Sequence, residues 1–431
     1  MQARLINFCQ WLVIALPVLL FCGKVTSDIA MSVIAVLFLV HSTLYGDFSW
    51  VRDRWMQVSI LLTAYMCLRA IITEEPSWFN LGYSLTWIRF PVAAAALACW
   101  ILPDERIRKR LFMSLSGALA FIIADCLFQF FHGTDIFGHG PFPFEGLQRL
   151  TGPFSNPRPG ITIVWLIFPI MLGWAKPYAP KPAWLTLIVA ATLVTVFLTG
   201  ERMALLLLLM GIGICFLGKP RLRVFLVVGV EAALMVGRLL VQDHPEVEKR
   251  QVGATQAAVV SFSHTSYGLT ARSSAYIFKY NPIFGSGVRS FKTECRKPEY
   301  GPVKDPQLLA SRCPMHPHNL YLGWLSEYGF VGFVLYFTMA GFWLLDLFVL
   351  RKYWWNAPIM VGLVVTLFIR LWPISAGTSH FSAWSAVPFW LCMGWFYTFV
   401  RDYRNRLNFG LLSPNLAPKL TLPSSLKRHK S

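Results

Sequence analysis

The residues best suited to chemistry lie in the stretch Met315-His316-Pro317-His318-Asn319-Leu320-Tyr321-Leu322, followed by Glu327-Tyr328-Gly329-Phe330-Val331-Gly332. A histidine titrates near neutral pH and can serve as a general base. Pro317 suits the approach to a helix and Asn319 suits an N-cap, which would stand His318 at the entrance of an apolar helix. The plainer alternative is an interfacial histidine that only bonds to its loop. Arginines form the second candidate group. Arg202 sits in Thr199-Gly200-Glu201-Arg202, and Arg272 opens Arg272-Ser273-Ser274-Ala275-Tyr276 ahead of Asn281-Pro282-Ile283-Phe284-Gly285-Ser286-Gly287. That second segment reads as an amphipathic helix starting at Arg272 and ending at the Pro/Gly turn. Arg289 follows it, while Arg69, Arg89, Arg238 and Arg370 lie in or near the ends of apolar blocks. The planar guanidinium donates two parallel hydrogen bonds and so suits phosphate. A charge in hydrocarbon costs at least ~2.5–3.5 kcal/mol. Snorkelling explains any one of these arginines, but the set asks for an anionic ligand. No His or Cys spacing resembles a zinc motif, although His132, His139, His244, His264 and His380 share the same outward-facing regions. No metal or cofactor is expected. The acids Asp125, Glu231 and Asp346 are scattered and read as paired or snorkelling groups rather than a proton relay.

The elements that must hold these residues are membrane helices. Hydrophobic residues make up 55% of the chain, charged residues 14%, and mean hydropathy is +0.52; a soluble protein carries about 25% charged residues. Apolar blocks fall at 6–23, 29–45, 56–73, 83–102, 111–131, 160–174, 184–199, 203–217, 224–241, 319–350, 358–373 and 382–400. A span needs about 20 apolar residues, so the expectation is an all-α polytopic protein of about twelve transmembrane helices. The 319–350 block exceeds one membrane thickness and should tilt or protrude. Residues 8–22 lack a convincing cleavage site after them and read as a retained span. More than half of the 39 Lys and Arg fall in alternate connections, including Arg106-Ile107-Arg108-Lys109-Arg110 and Lys219-Pro220-Arg221-Leu222-Arg223. That is the positive-inside pattern, with both termini cytoplasmic. The net charge of +18 is therefore read as topology, not nucleic-acid binding. The expected division is 1–241 for spans one to nine, 242–318 for a large outside loop, 319–400 for spans ten to twelve, and 401–431 for a basic cytoplasmic tail able to meet anionic lipid heads. A second long outside loop covers 132–159. Seven of the nine Cys lie in or beside apolar blocks. Cys295 and Cys313 lie in the large loop and form either a disulfide, in an oxidising compartment, or two free thiols.

Three features resemble the O-antigen ligase and polymerase superfamily: Gly200-Glu201-Arg202-Met203-Ala204; Arg272 with the downstream Asn281-Pro282-x-x-Gly285-x-Gly287; and His318-Asn319-x-x-Leu322 with Glu327-x-Gly329-x-x-Gly332. Their order around one long loop matches as well. The resemblance implies a metal-independent, inverting glycosyltransferase of GT-C-type architecture in the bacterial inner membrane, with a periplasmic active site. Its donor would be a glycan on undecaprenyl pyrophosphate and its acceptor lipid A–core oligosaccharide. Arg202 and Arg272 would hold the pyrophosphate and His318 would act as base. Arg69, Arg89, Arg238, Arg289, Arg370, His316 and Asn319 would be further substrate contacts. Length and the His-Pro-His-Asn form lean to the ligase. The alternatives are a polymerase that extends the lipid-linked glycan and, from a different class, a transporter or flippase, whose internal repeats are not seen here.

Overall fold

The structure, a computed structural model, describes residues 2–408 apart from 73–76, 145–146, 176–182, 254, 257–259, 301–311, 356 and 376–380. Of the tail expected over 401–431 only 401–408 is described, as the end of a helix, and His380 lies outside the described residues. Each apolar block coincides with a helix or a helix pair. In chain order these are α1 (Gln2–Cys22), α2 (Lys24–Tyr45), α3 (Arg54–Ile71), α4 (Trp78–Thr86), α5 (Arg89–Ala96), α6 (Glu105–His132), α7 (Pro159–Ala175), α8 (Ala183–Leu198), α9 (Arg202–Gly218) and α10 (Arg223–Asp243). The large loop contributes α11 (Ser266–Tyr280), and the chain returns through α12 (Leu320–Val349), α13 (Pro358–Arg370) and α14 (Ala383–Asn408). Among the described residues, six segments are each long and apolar enough to cross a membrane: Arg4–Cys22, Val25–Tyr45, Trp78–Ile101, Glu105–His132, Pro220–Gln242 and Leu320–Val349. α7, α8, α9 and α13 are apolar but shorter. This is an all-α, multi-pass membrane protein. A small antiparallel hairpin, β1 (Phe142–Phe144) and β2 (Leu147–Arg149), pairs Phe142 with Arg149.

α7 is the central helix. Its sequence, PGITIVWLIFPIMLGWA, carries no charge and is apolar on every side, as a helix enclosed by others must be. It packs on α6, α8, α9, α13 and α14. The closest crossing is with α13, where a Cβ on Gly362 would stand 2.5 Å from Phe168 O and Pro169 N. At the end of the bundle away from the loop, ion pairs tie three helices together. Asp53 accepts from Arg401 at 3.1 Å, and Asp346 accepts from Tyr397 Oη at 3.2 Å and from Arg404. Asp346 is thus paired, Asp125 accepts from Ile136 N at 2.9 Å, and Glu231 is exposed on α10.

Two local readings change. Arg272 does not open its helix. α11 begins at Ser266, where the Thr265 side chain accepts from Gly268 N at 3.1 Å, so Arg272 is mid-helix. The 319–350 block is not one continuous rod. Gly329 breaks α12 with φ 63° and ψ −166°, a conformation that strains any residue with a Cβ. The amides freed there turn outward to the loop: Phe330 N donates to Pro282 O at 2.8 Å and Val331 N to Ile283 O at 3.1 Å. In return Ser286 N and Gly287 N donate to Ser326 O and Glu327 O at 3.0 and 2.9 Å. Buried backbone groups must be paired somewhere, and this backbone-to-backbone clamp pairs them. It joins the glycine motif after α11 to the glycine motif inside α12. Tyr65 Oη donates to Tyr328 O at 2.7 Å, and Arg69 Nη2 to Gly285 O at 3.0 Å, bracing the clamp from α3.

A Cβ on Gly329 would sit 2.4 Å from Gly285 N and Ile283 O. The unfavourable φ alone costs alanine about 1–2 kcal/mol. Gly329→Ala should lower the thermal midpoint in detergent by roughly 5 °C or more and raise the aggregated fraction on size exclusion. Gly117→Ala, whose Cβ would meet nothing within 4 Å, should leave both unchanged.

Candidate active site

A cavity of about 420 Å³ opens where α7, α9, α11, α12 and α14 begin. Its polar lining comes from Arg149, Arg158, Glu201, Arg202, His316 and His318, with Tyr267 and Trp384 as aromatic walls.

Glu201 organises the cationic side. The first helical residue of α7, Pro159, has no N–H to satisfy. Gly160 N and Ile161 N donate to the two carboxylate oxygens of Glu201 at 2.7 and 3.1 Å, and Thr162 N donates to Arg158 O at 3.1 Å. These are the orphan donors of a helix start, and an anion there is favoured by the helix dipole. The approach is close enough that a Cβ on Gly160 would lie 2.9 Å from Glu201 Oε1. One carboxylate thus joins the start of α7 to the start of α9, bringing Arg158 and Arg202 to the same cavity. Burial pushes the Glu201 carboxyl up to about 7, against the opposing pull of the Gly160 and Ile161 amides and of Arg149 and Arg158. Arg158 also lies over the Trp384 ring, 5.1 Å from its centroid, and its own pKa is lowered by burial. Arg149 arrives on β2, in a loop pinned to α6 by Gln129, which accepts from Thr151 N at 2.8 Å and donates to Thr151 Oγ1 at 2.8 Å.

The imidazole side is built from a strained backbone. His318 has φ 55°, and with Arg289 (φ 56°) it makes up the non-glycine residues of positive φ among those described. Asn319, next in the chain, caps α12: its Oδ1 accepts from Tyr321 N and Leu322 N at 3.0 and 3.1 Å, and its Nδ2 donates to Pro373 O at 2.6 Å. Both ends of that amide are therefore occupied by the fold. The His316 and His318 rings lie 4.5 Å apart, and Tyr267 meets His318 edge-on at 6.2 Å. Burial lowers the pKa of both; His316 falls to about 4, with His318 and Arg158 adding to the effect. Burial thus favours the neutral form of both rings. The segment leading to them is held by the Cys295–Cys313 disulfide. Beside it, buried Arg312 donates to Ser273 Oγ at 2.7 Å and to Tyr300 O.

Of the arginines singled out from sequence, Arg202 lines the cavity. Arg370 lies directly behind it, fully buried, donating to Ser385 O at 2.6 Å, its guanidinium 4.0 Å from the centroid of the Trp165 ring; Ser385 and Trp165 are cavity walls. The others are elsewhere. Arg69 braces the clamp, Arg89 pairs with Asp28 at 2.9 Å, and Arg289 lies 4.8 Å from the ring centroids of Phe79 and Tyr83. Arg238 is exposed on α10, and Arg272 is exposed on α11 outside the cavity lining. Sequence reasoning passed over Arg149, Arg158, Glu201 and Trp384. The available signals were the Asn156-Pro157-Arg158-Pro159 run, a cation locked between prolines at a helix start, and the acid inside Gly200-Glu201-Arg202. No group of three or more metal-ligating side chains is found among the described residues.

Chemically, three guanidiniums and two imidazoles lining one cavity can hold a phosphorylated group and accept a proton beside it. Residues 187–337 match the family model described as O-Antigen ligase. That segment is similar to the O-antigen ligase superfamily. The superfamily takes in O-antigen ligases and related polymerases, which transfer glycosyl groups. The matched stretch runs from α8 into α12 and includes Glu201, Arg202, α11, both histidines and the clamp, whereas Arg149, Arg158 and Trp384 lie outside it. No curated protein matches the chain.

The depressed pKa of His316 gives a signed prediction. Between about 4 and 6.5 the unfolded chain binds a proton that the folded site refuses, so stability falls as pH drops through that window. His316→Gln should lose less thermal stability than wild type between pH 7 and pH 4.5, measured as the shift in midpoint in detergent.

Proposed function

We propose that this chain transfers a glycan from undecaprenyl pyrophosphate to lipid A–core oligosaccharide at the periplasmic face of the bacterial inner membrane. The observation that carries the reading is the single cavity lined by Arg149, Arg158, Arg202, His316 and His318, partly within a segment matching the O-antigen ligase family. In this reading the chain crosses the membrane twelve times with both termini in the cytoplasm, and the donor reaches the cavity from the outer leaflet.

His318 takes the proton from the acceptor hydroxyl. The freed oxygen attacks the anomeric carbon from the face opposite the diphosphate, and the bond from that carbon to the diphosphate oxygen breaks. The electron pair leaves with the diphosphate, and the sugar is inverted. Charge grows on the leaving group as the bond breaks, so the guanidiniums of Arg149, Arg158 and Arg202 favour the transition state over the bound donor. Arg272, outside the cavity lining, is assigned to the phosphates of an approaching substrate rather than to the reacting bond. The sugar–diphosphate bond carries the driving force, so no nucleotide, metal or cofactor is required.

The test is a reconstituted assay with lipid-linked glycan and both acceptors. Wild type should glycosylate lipid A–core and be insensitive to chelator. Extension of the lipid-linked glycan instead assigns the chain to the polymerases. Substrate movement without transfer would make it a transporter. His318→Ala, Arg202→Ala and Arg158→Ala should each lose on the order of 10²-fold or more, with a smaller loss for Arg272→Ala. His318→Gly separates chemistry from fold: it relieves a backbone conformation costing roughly 1–2 kcal/mol. The variant should therefore be at least as thermostable as wild type and yet inactive. Normal turnover in it removes His318 as base.

A further inference from the structure

A histidine base needs a group behind it that fixes which nitrogen carries the proton and that steadies the imidazolium once formed. In most such sites a carboxylate does this. Here no carboxylate contacts either imidazole among the described residues. Glu201 shares the cavity, but both its oxygens are engaged by the start of α7. The group beside His318 is His316, 4.5 Å away centroid to centroid with the rings inclined at 54°. At that spacing the rings touch without a hydrogen bond between them in the structure, and a turn of one ring about its own side-chain bond is what would bring a nitrogen of one to a nitrogen of the other.

Resting on the glycan-transfer reading, we propose that His316 is a positioning residue: its ring accepts a hydrogen bond from His318, turns the other nitrogen of His318 toward the acceptor hydroxyl, and shares the proton after His318 has taken it. An imidazole can accept only while neutral. The charged groups around His316 favour that form: Arg158 ahead of α7, Arg149 on β2 and Arg202 on α9 are cations, while Glu201 is spent on the α7 amides. His318 and Tyr267 complete its surroundings. The same cations make His316 a poor phosphate ligand, since a second positive charge there is opposed. Pro317, buried between the two histidines, holds their relative placement. The disulfide at Cys313 anchors the segment three residues upstream. The neighbouring placement of the two rings is therefore set by covalent and backbone constraints rather than by one side-chain contact.

The test uses the full-length chain in proteoliposomes, with kcat, donor KM and the pH profile measured for His316→Phe and His316→Gln. His316→Phe, which keeps the ring volume but cannot accept, should lose about 10²-fold in kcat with donor KM within about two-fold of wild type. Losing the acceptor destabilises the His318 imidazolium, so the acid limb of kcat/KM should move to lower pH. His316→Gln, whose amide oxygen can accept the same bond, should recover about ten-fold of the loss. The inference is overturned by wild-type kcat in His316→Phe, by a loss confined to donor KM, or by a glutamine variant no better than phenylalanine with the acid limb unmoved. If His316→Phe does not fold, His316→Leu, which likewise cannot accept, takes its place, and an unmoved acid limb in that variant overturns the inference. A phenylalanine variant as active as wild type beside an inactive His318→Gln overturns this inference and leaves the transfer reading standing. A wild-type chain that transfers no glycan brings both down.

Discussion

The carboxylate of Glu201 is the contact on which the candidate site depends. A helix start in an apolar bundle has amides that water cannot reach, and each must find an acceptor. In α7 those amides meet Glu201, and the carboxylate in turn stands near Arg149 and Arg158. Three cations crowded into one cavity would repel one another. A single half-buried acid fixed by two backbone donors offsets part of that repulsion and ties the starts of two helices together. The acid thereby serves the fold and the charge balance together, and the cavity keeps a net positive character suited to a diphosphate.

A second frame holds the imidazoles. The glycine motifs of the large loop and of α12 look like a ligand-binding signature, because closely spaced glycines often let a backbone approach a phosphate. In this protein they let one backbone approach another. Gly285 and Gly329 stand so close that a side chain on either would strike the other strand of the clamp. Arg69 and Tyr65 complete that clamp, which explains why a guanidinium in α3 needs no anion from outside. Arg89 finds its partner inside the protein in Asp28, and Arg370 reaches the Ser385 carbonyl through Nη2.

The helices were legible because long apolar blocks have few other outcomes, and Asn319 was legible as a cap because its side chain acts within three residues. Two features escaped for physical reasons. An unbroken apolar run gives no sign that Gly329 interrupts it, since the acceptors that reward the break, Pro282 O and Ile283 O, lie more than forty residues away in the chain. Arg149 and Arg158 sit in a loop with no periodicity, and they reach the cavity through Gln129 and Glu201, contacts across 22 and 41 positions. Arg202 was found because its motif is local to a tight helical connection. Arg272 was found in the motif but not in the lining, because the capping threonine that starts its helix lies seven residues earlier.

The wall of the cavity on α9 includes Leu206, a side chain 51% exposed on the outside of the protein, and Leu209 on the same helix is also exposed, at 44%. The chamber therefore has a greasy sill on its flank. A molecule with a charged head and a long hydrocarbon tail can seat the head among the guanidiniums while its tail hangs over that sill, never passing through water. On the proposed reading of glycan transfer, delivery of a lipid-linked donor becomes a search in two dimensions, along the plane of the bilayer, and spent carrier slides away by the route on which it came.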